Sequence, residues 1–210
     1  MSKSFSLGVV ILAAGASSRM GRPKMLLPWG GTSVLGHLTS TWDRLAAKQI
    51  AVVVCAGVKE VHMELDRIQF PSGNRILNPT PELGMFSSIR VAAQWTGWKD
   101  SVTNWSIVLG DQPHLTDTTL RKIIEHAEKH SSEICQPSRL GRPRHPVVLP
   151  RAVFQSLADS KAETLKQFLQ SYGTGAALCE MDDPGLDFDI DSPADYEQAV
   201  QRFSGLSTAQ

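Results

Sequence analysis

The chain has 210 residues, 41% hydrophobic and 20% charged, a mix that suits one domain (1–210) with a sizeable core. Lys plus Arg and Asp plus Glu both total 21, so the formal net charge is zero, which argues against nucleic acid or an anionic membrane as partner. The longest apolar run, near Val9–Ala14, is far shorter than the roughly 20 residues of a membrane span. The first residues, Met-Ser-Lys-Ser-Phe-Ser, lack the apolar core and cleavage site of a signal peptide. Cys55, Cys135 and Cys179 are odd in number and far apart, which reads as free buried thiols in a cytoplasmic protein.

In chain order, Val9–Leu12 is a continuous apolar run, the pattern of a parallel strand buried on both faces. Pro28–Thr32 is a turn, and Ser33 caps a helix to about Ala47 whose stripe is Val34, Leu38, Trp42 and Leu45. Ile50–Cys55 is a second buried strand, Val58–Ile68 a helix, Arg75–Leu77 a short strand and Met85–Trp95 a helix. Trp105–Leu109 is another buried strand. A helix capped by Asp117 runs to about Lys129, and Glu133–Gln136 returns as a strand. Pro146–Leu149 is extended, Thr164–Gln170 helical, and Ala176–Met181 a late strand. Pro193 opens a terminal helix to about Phe203, and 204–210 reads as a frayed tail. Strands alternating with helices of about ten residues imply an α/β fold, a mainly parallel sheet with helices on both faces. The strands near Cys135 and Val147 break the rhythm and are expected to add a small antiparallel insertion.

The first strand runs into Ala13-Ala14-Gly15-Ala16, small enough for close approach of a ligand. Gly15 and Gly21 can take positive φ, which turns successive N–H groups inward, and Arg19 and Lys24 add cationic side chains. Such a loop cradles phosphate, Arg in a bidentate manner and Lys as a point charge; an ordinary strand-to-helix turn with solvated cations has the same composition. The P-loop is excluded because Gly21 is followed by Arg-Pro-Lys-Met, and the dinucleotide fingerprint because Gly15 lacks a glycine two residues on. Leu109-Gly110-Asp111-Gln112-Pro113 sets a carboxylate directly after a buried strand, where it either forms a turn or serves as a hard oxygen ligand. In Asp187-Phe188-Asp189-Ile190-Asp191-Ser192-Pro193, inward Phe188 and Ile190 would put Asp189 and Asp191 on the opposite face; Ser192 can also cap the last helix. His126 and His130, four apart, have a metal-binding spacing, but their context reads as a solvated face.

Leu12 through Lys24 resembles the L-A-A-G-x-S-x-R-M-G-x-x-K signature of nucleotidyltransferases of the molybdenum-cofactor cytidylyltransferase-like family, matched at every fixed position. The resemblance extends in order through the Leu109–Pro113 motif to Asp187–Tyr196, and implies a Rossmann-like fold of the nucleotide-diphospho-sugar transferase type. It implies that Leu12, Ala13, Ala14, Gly15, Ser17, Arg19, Gly21 and Lys24 wrap a nucleoside triphosphate. By the same resemblance Asp111 and Asp191 hold Mg²⁺, Asp189 lies beside them, and Lys24, Arg19 and Asp111 carry the catalysis. Asn78, Gly84, Met85, Ser87 and Ser88 resemble the segment beside the base; either serine could equally cap the helix. Leu27-Pro28-Trp29 resembles the cytidylyltransferase variant and leans the donor towards CTP.

Two stretches depart from the family. The usual G-x-x-G-H-P reads Gly141-Arg142-Pro143-Arg144-His145-Pro146, so Arg144 replaces the second glycine, and Asp159–Ala162 lacks the glycines expected there. His145, Arg142 and Arg144, with Arg139, are the candidate acceptor contacts. The expected acceptor is a molybdopterin-type phosphate, with a molybdenum enzyme as downstream client. The alternatives are another phosphorylated small molecule, such as a sugar or alditol phosphate, or a non-catalytic carrier of nucleotide or cofactor.

Overall fold

The computed structural model describes residues 4–15, 17–172 and 175–203, so Ala16 and the expected frayed tail lie outside the described residues. In chain order the elements are β1 (Leu7–Leu12), β2 (Pro28–Trp29), β3 (Thr32–Ser33), α1 (Val34–Arg44), β4 (Gln49–Cys55), α2 (Lys59–Arg67), β5 (Arg75–Asn78), α3 (Met85–Gln94) and β6 (Asn104–Leu109). They continue with α4 (Asp117–Lys129), β7 (Cys135–Arg139), β8 (Arg142–Pro143), β9 (Val147–Pro150), α5 (Arg151–Ser156), α6 (Leu165–Ser171), β10 (Ala177–Glu180) and α7 (Pro193–Phe203).

The main sheet runs β10-β7-β9-β6-β1-β4-β5, with β8 hydrogen-bonded to β7. β1 is flanked by β4 and β6, both parallel to it, while β9 runs against its neighbours β6 and β7, and the short β8 runs against β7. The expected antiparallel element is thus inside the main sheet at β9, and a second one is the β2–β3 ribbon, turned by Gly30 and Gly31 at φ 54° and 80°.

Both faces of the sheet are covered, which is why the central strands are largely apolar. Val9, Ile11, Val52 and Val54 belong to one core with Leu35 and Trp42 of α1, Leu65 of α2, Ile123 of α4 and Ala199 of α7. Val10, Ala51, Val53 and Ile107 belong to the other, with Ile89 of α3, Phe154 of α5 and Phe168 of α6. Gly8 sits opposite Trp105 across the β1–β6 pair, and a Cβ on Gly8 would lie 2.8 Å from Val102 and 3.1 Å from the Trp105 ring, so the absent side chain makes room for the indole.

Three elements differ from the sequence reading. The strand expected at Glu133–Gln136 is β7, shifted to Cys135–Arg139. Its Ser138 is buried through a 2.6 Å bond to Glu180, so a polar residue stands where a core residue would be looked for. The cap of α4 is Thr116, whose hydroxyl accepts from the Thr119 N–H, and Asp117 is the first helical residue. Helix α5 is six residues long and buries only Val153 and Phe154, too little periodicity for a pattern. The terminal helix begins and ends as expected, opened by a capping box: Ser192 Oγ accepts from the Asp195 N–H while the Asp195 carboxylate accepts from the N–H groups of Ser192 and Asp191.

His37 and His114 are held neutral by this packing. Burial lowers both pKa values from 6.5: at His37 Arg44 adds to the lowering while Asp117 and a Pro113 backbone bond oppose it; at His114 the Gly185 carbonyl and Asp183, Asp189 and Asp111 oppose it. His114 uses Nε2 on that carbonyl at 2.9 Å, stacks on Phe203, and leaves Nδ1 buried without a partner. The unfolded chain therefore takes up these protons first, so their stabilisation is complete above about pH 6.5 and is lost as the pH falls below it. Urea midpoints are expected to drop between about pH 7.5 and about pH 5.5, with a slope of at most about 1.4 kcal/mol per pH unit for each histidine. A midpoint flat across that range would contradict the assignment.

Candidate functional site

Strand order reverses at β1, with the β1–β4–β5 half on one side and β6 on the other, and open α/β sheets place ligands beyond the carboxyl ends at such a switch point. A cavity of about 300 Å³ lies there, lined by Leu12–Gly15, Ser17, Lys24 and Met25 after β1, Pro81, Gly84, Met85 and Ser88 at α3, and Leu109–Asp111 after β6.

The loop after β1 is folded by its own residues. The Ala13 N–H continues the sheet to the Val53 carbonyl at 2.9 Å. Ser17 adopts φ 48°, ψ 32°, its carbonyl accepts from Met20 N–H, and its hydroxyl accepts from Lys24 N–H at 3.1 Å. Gly21 turns the chain at φ 66°, and buried Met20, Met25 and Leu27 pin it to the core. The outcome is that Lys24 returns to the cavity that the chain left at Gly15. At β6, Gly110 permits the contact between strand ends: a Cβ there would stand 2.8 Å from the Leu12 carbonyl oxygen and 2.6 Å from Met25 Sδ.

Lys24 Nζ donates to Asp111 Oδ2 at 2.9 Å and lies 3.8 Å from Asp191 Oδ1, while Arg19 Nη2 lies 3.0 Å from Asp191 Oδ2. Lys24 and Asp111 are about one-fifth exposed at the side chain, whereas Arg19 is 70% exposed on the rim. Asp191 arrives on an extended strap held to β6 by the Ile190 N–H, which donates to the Asp111 carbonyl at 3.0 Å. Ile190 is buried and Phe188 packs edge-on to His114, so alternation turns Asp187, Asp189 and Asp191 the other way. Each meets a different element: Asp191 the β1 loop, Asp189 the Gln112 amide at 2.9 Å, and Asp187 two arginines from the β7–β8 hairpin. Partial desolvation, then Asp111, raises the Asp189 pKa above the ordinary carboxylate value, with Asp191 adding to it and the Gln112 bond opposing.

This donor set fits a hard divalent cation. Asp111 Oδ1 is buried without a hydrogen-bond partner, and the carboxylates of Asp111 and Asp191 both meet Lys24, with Arg19 on the second. Groups of three or more metal-capable side chains already in ligating arrangement are absent among the described residues, His126 and His130 included. His126 Nε2 instead meets the Ala177 carbonyl and His130 meets Glu133.

The α3 side is built differently from the sequence reading. Buried Asn78 donates its amide to Ser87 Oγ at 2.8 Å and to Ser88 Oγ at 3.0 Å, and its Oδ1 accepts from the Thr80 N–H. The Ser87 hydroxyl is also engaged with the Gly84 and Thr80 carbonyls, so it braces the loop, while Ser88 lines the cavity. Asn78→Ala is expected to cost about 1–3 kcal/mol through the groups left unpaired. It should also weaken nucleotide binding, because the wall at Gly84–Ser88 loses its brace; calorimetric titration with a nucleoside triphosphate reads this, and unchanged affinity would show the wall is rigid without it.

Trp29 is buried and meets His37 edge-on at 6.3 Å, packing the ribbon down and staying out of the cavity. Arg144 Nε donates to Asp187 Oδ1 at 2.6 Å and Arg139 Nη1 to Asp187 Oδ2 at 2.5 Å; these bonds hold the Asp187 carboxyl below its usual range. Arg142 is exposed on the hairpin. His145 turns inward: its Nδ1 is buried without a partner, and burial lowers its pKa against a bond to the Ile107 backbone and the charge of Asp111. Burial pushes the Cys135 thiol up to about 11, so it is inert. Asp187 and Gln112, to which the sequence reading gives no role, are the tethers of the strap; the D-x-D-x-D alternation was the available signal.

A doubly covered sheet whose switch point gathers a cationic loop and facing carboxylates defines the class as an α/β domain that handles phosphorylated nucleotides. The chain belongs to the MobA-like NTP transferase family, whose domain model matches residues 9–176. It is similar to the molybdenum cofactor cytidylyltransferase of Escherichia coli K12, 27% identical over 203 residues that span 96% of this chain and 99% of that protein. The bifunctional protein GlmU of Parvibaculum lavamentivorans is 33% identical over 143 residues, 64% of this chain, and the match spans only 31% of GlmU. Among solved structures, Rv0371c of Mycobacterium tuberculosis H37Rv shares the fold with a TM-score of 0.76 at 24% identity, over 94% of this chain and 99% of that one.

Proposed function

We propose that this chain transfers CMP from CTP to the phosphate of a molybdopterin-type acceptor. The observation that carries this reading is the pairing of Lys24 and Arg19 with Asp111 and Asp191 beside a cavity at the switch point of the sheet. An acceptor phosphate oxygen bonds to the α-phosphorus of CTP, and the bond from that phosphorus to the bridging oxygen breaks, releasing pyrophosphate. A phosphate monoester has a second pKa near ~6, so its oxygen is already a nucleophile at neutral pH and no general base is assigned. Lys24 and Arg19 bind the triphosphate and offset the charge on the departing pyrophosphate. Asp111 and Asp191 would hold Mg²⁺, which when bound supplies further neutralisation of phosphate charge. The choice of CTP is supported by the similarity to the E. coli cytidylyltransferase along nearly the whole chain and by the Leu27-Pro28-Trp29 resemblance, in which Trp29 acts through packing.

A second reading, another phosphorylated small molecule as acceptor, is favoured by one observation. Arg144 replaces the family's glycine and is clamped with Arg139 on Asp187, giving the hairpin a guanidinium pair beside the strap. The test is pyrophosphate release with Mg²⁺ and each of CTP, GTP, ATP and UTP, with and without molybdenum cofactor. Release that needs both CTP and the cofactor supports the first reading. Release with a sugar or alditol phosphate alone supports the second, and binding without turnover would make the chain a carrier.

A further inference from the structure

Asp191 stands on a stretch that is neither strand nor helix: a 3-10 turn ends at Asp187 and α7 begins at Pro193. Its start is held from the β7–β8 hairpin. Arg139 Nη1 donates to Asp187 Oδ2 at 2.5 Å, and Arg144 donates to Oδ1 through Nε at 2.6 Å and also through Nη2. Both oxygens of one carboxylate are thus taken by two guanidiniums that flank the hairpin turn. All three side chains are partly buried, so these charge-assisted bonds are screened less than a pair in open solvent. The hairpin is itself fixed there. Arg139 pairs with Arg142 across β7 and β8, and the Arg144 N–H donates to the Pro137 carbonyl at 2.8 Å. Three residues beyond Asp187, the Ile190 N–H meets the Asp111 carbonyl, and the next carboxylate is Asp191, against Arg19 and Lys24. A glycine at position 144 would leave Arg139 alone on Asp187.

We infer that Arg144, together with Arg139, is a positioning residue: the two arginines clasp Asp187 and so fix the strap that sets Asp191 in the site. Arg144 acts on the reaction through Asp187 and not by touching the acceptor. The inference rests on the proposed nucleotide transfer. Four residues separate the clasp from Asp191, so freedom gained at Asp187 reaches Asp191 through the Ile190 bond, whose amide reports it.

The experiment joins two readouts on the full chain: hydrogen exchange at the Ile190 amide by NMR, and pyrophosphate release from CTP with molybdenum cofactor and Mg²⁺. Arg144→Gln is expected to speed Ile190 exchange about five- to tenfold, as loss of an ion-pair contact should. Its kcat should fall about tenfold with KM for CTP and for the cofactor within about twofold, the mark of lost positioning. Arg144→Lys keeps the charge without the fork and should lie between wild type and Arg144→Gln on both readouts. Asp187→Asn should reproduce the loss, and adding Arg144→Gln to it should cost nothing further, because both act through one contact. A raised KM for the cofactor with kcat and Ile190 exchange unchanged would make Arg144 an acceptor contact and overturn the inference. Faster exchange with unchanged kcat per folded molecule would also overturn it, leaving the clasp a matter of stability. If wild type itself releases no pyrophosphate, the transfer reading fails first, and the positioning role falls with it.

Discussion

Asp111→Asn is expected to lower kcat/KM for pyrophosphate release by about 10²–10³-fold, the range found when one preorganised electrostatic contact to a transition state is removed. The substitution preserves volume, so Gly110 can still approach the Leu12 carbonyl and the Ile190 N–H can still reach the residue 111 carbonyl. What changes is charge. Lys24 loses its 2.9 Å partner and keeps only Asp191 at 3.8 Å, and the oxygen sealed beneath the cavity is no longer part of an anion. Stability should move by only ~1 kcal/mol, because the pair is partly open to solvent. Activity measured beside a thermal melt separates the two effects. Turnover within about fivefold of wild type would remove Asp111 from the chemistry, since an ion pair worth about 1 kcal/mol accounts for that much. Asp189→Asn makes the useful contrast: its tie to Gln112 orients the strap, and a smaller loss is expected there because an amide can keep that position filled.

The parts of this molecule legible in its sequence are those in which one residue type answers to one local constraint. Val9–Leu12, Val52–Val54 and Ile107–Val108 stand out because strands covered on both faces leave few positions for a polar residue. The cationic loop and the carboxylate after β6 stand out because both follow such strands directly. Harder to read were features set by partners far along the chain. Ser138 looks like a surface residue until Glu180, 42 positions later and itself exposed, covers its hydroxyl. Arg139 and Arg144 look like a free basic cluster until the strap brings Asp187 between them. Ser87 and Ser88 are adjacent, chemically alike and both bonded by Asn78, yet two carbonyls occupy the first while the second faces the cavity. Composition and spacing carry no signal for such choices, because they are made by register between segments.

The same sheet that gathers the chemistry at one end keeps its densest aromatic packing at the other, and the second large effect is expected there. Trp105 is the second residue of β6, four residues before the strand ends at Leu109 and six before Asp111. Its ring stacks on Phe154 at 4.5 Å with the planes parallel, and Trp98 packs edge-on against both at 5.8 and 6.0 Å. Arg151 lies over the indole at 5.3 Å. Trp105→Ala is expected to cost about 3–5 kcal/mol, since it empties a space lined by Phe154, Trp98 and the gap left at Gly8. At roughly 2–4 °C per kcal/mol for a chain of this size, the melting midpoint should fall by about 6–20 °C. Trp105→Phe should cost far less: the indole Nε1 is buried without a partner, so its removal relieves an unpaired donor and offsets part of the lost volume. Below the lowered midpoint, turnover per folded molecule is expected to stay near wild type in both variants, because neither touches the carboxyl ends of β1 and β6. A loss of turnover at full folding would mean that packing at Trp105 is transmitted along β6 to Asp111. The division of labour along that one strand, aromatic packing at its start and charge at its end, would then have to be given up.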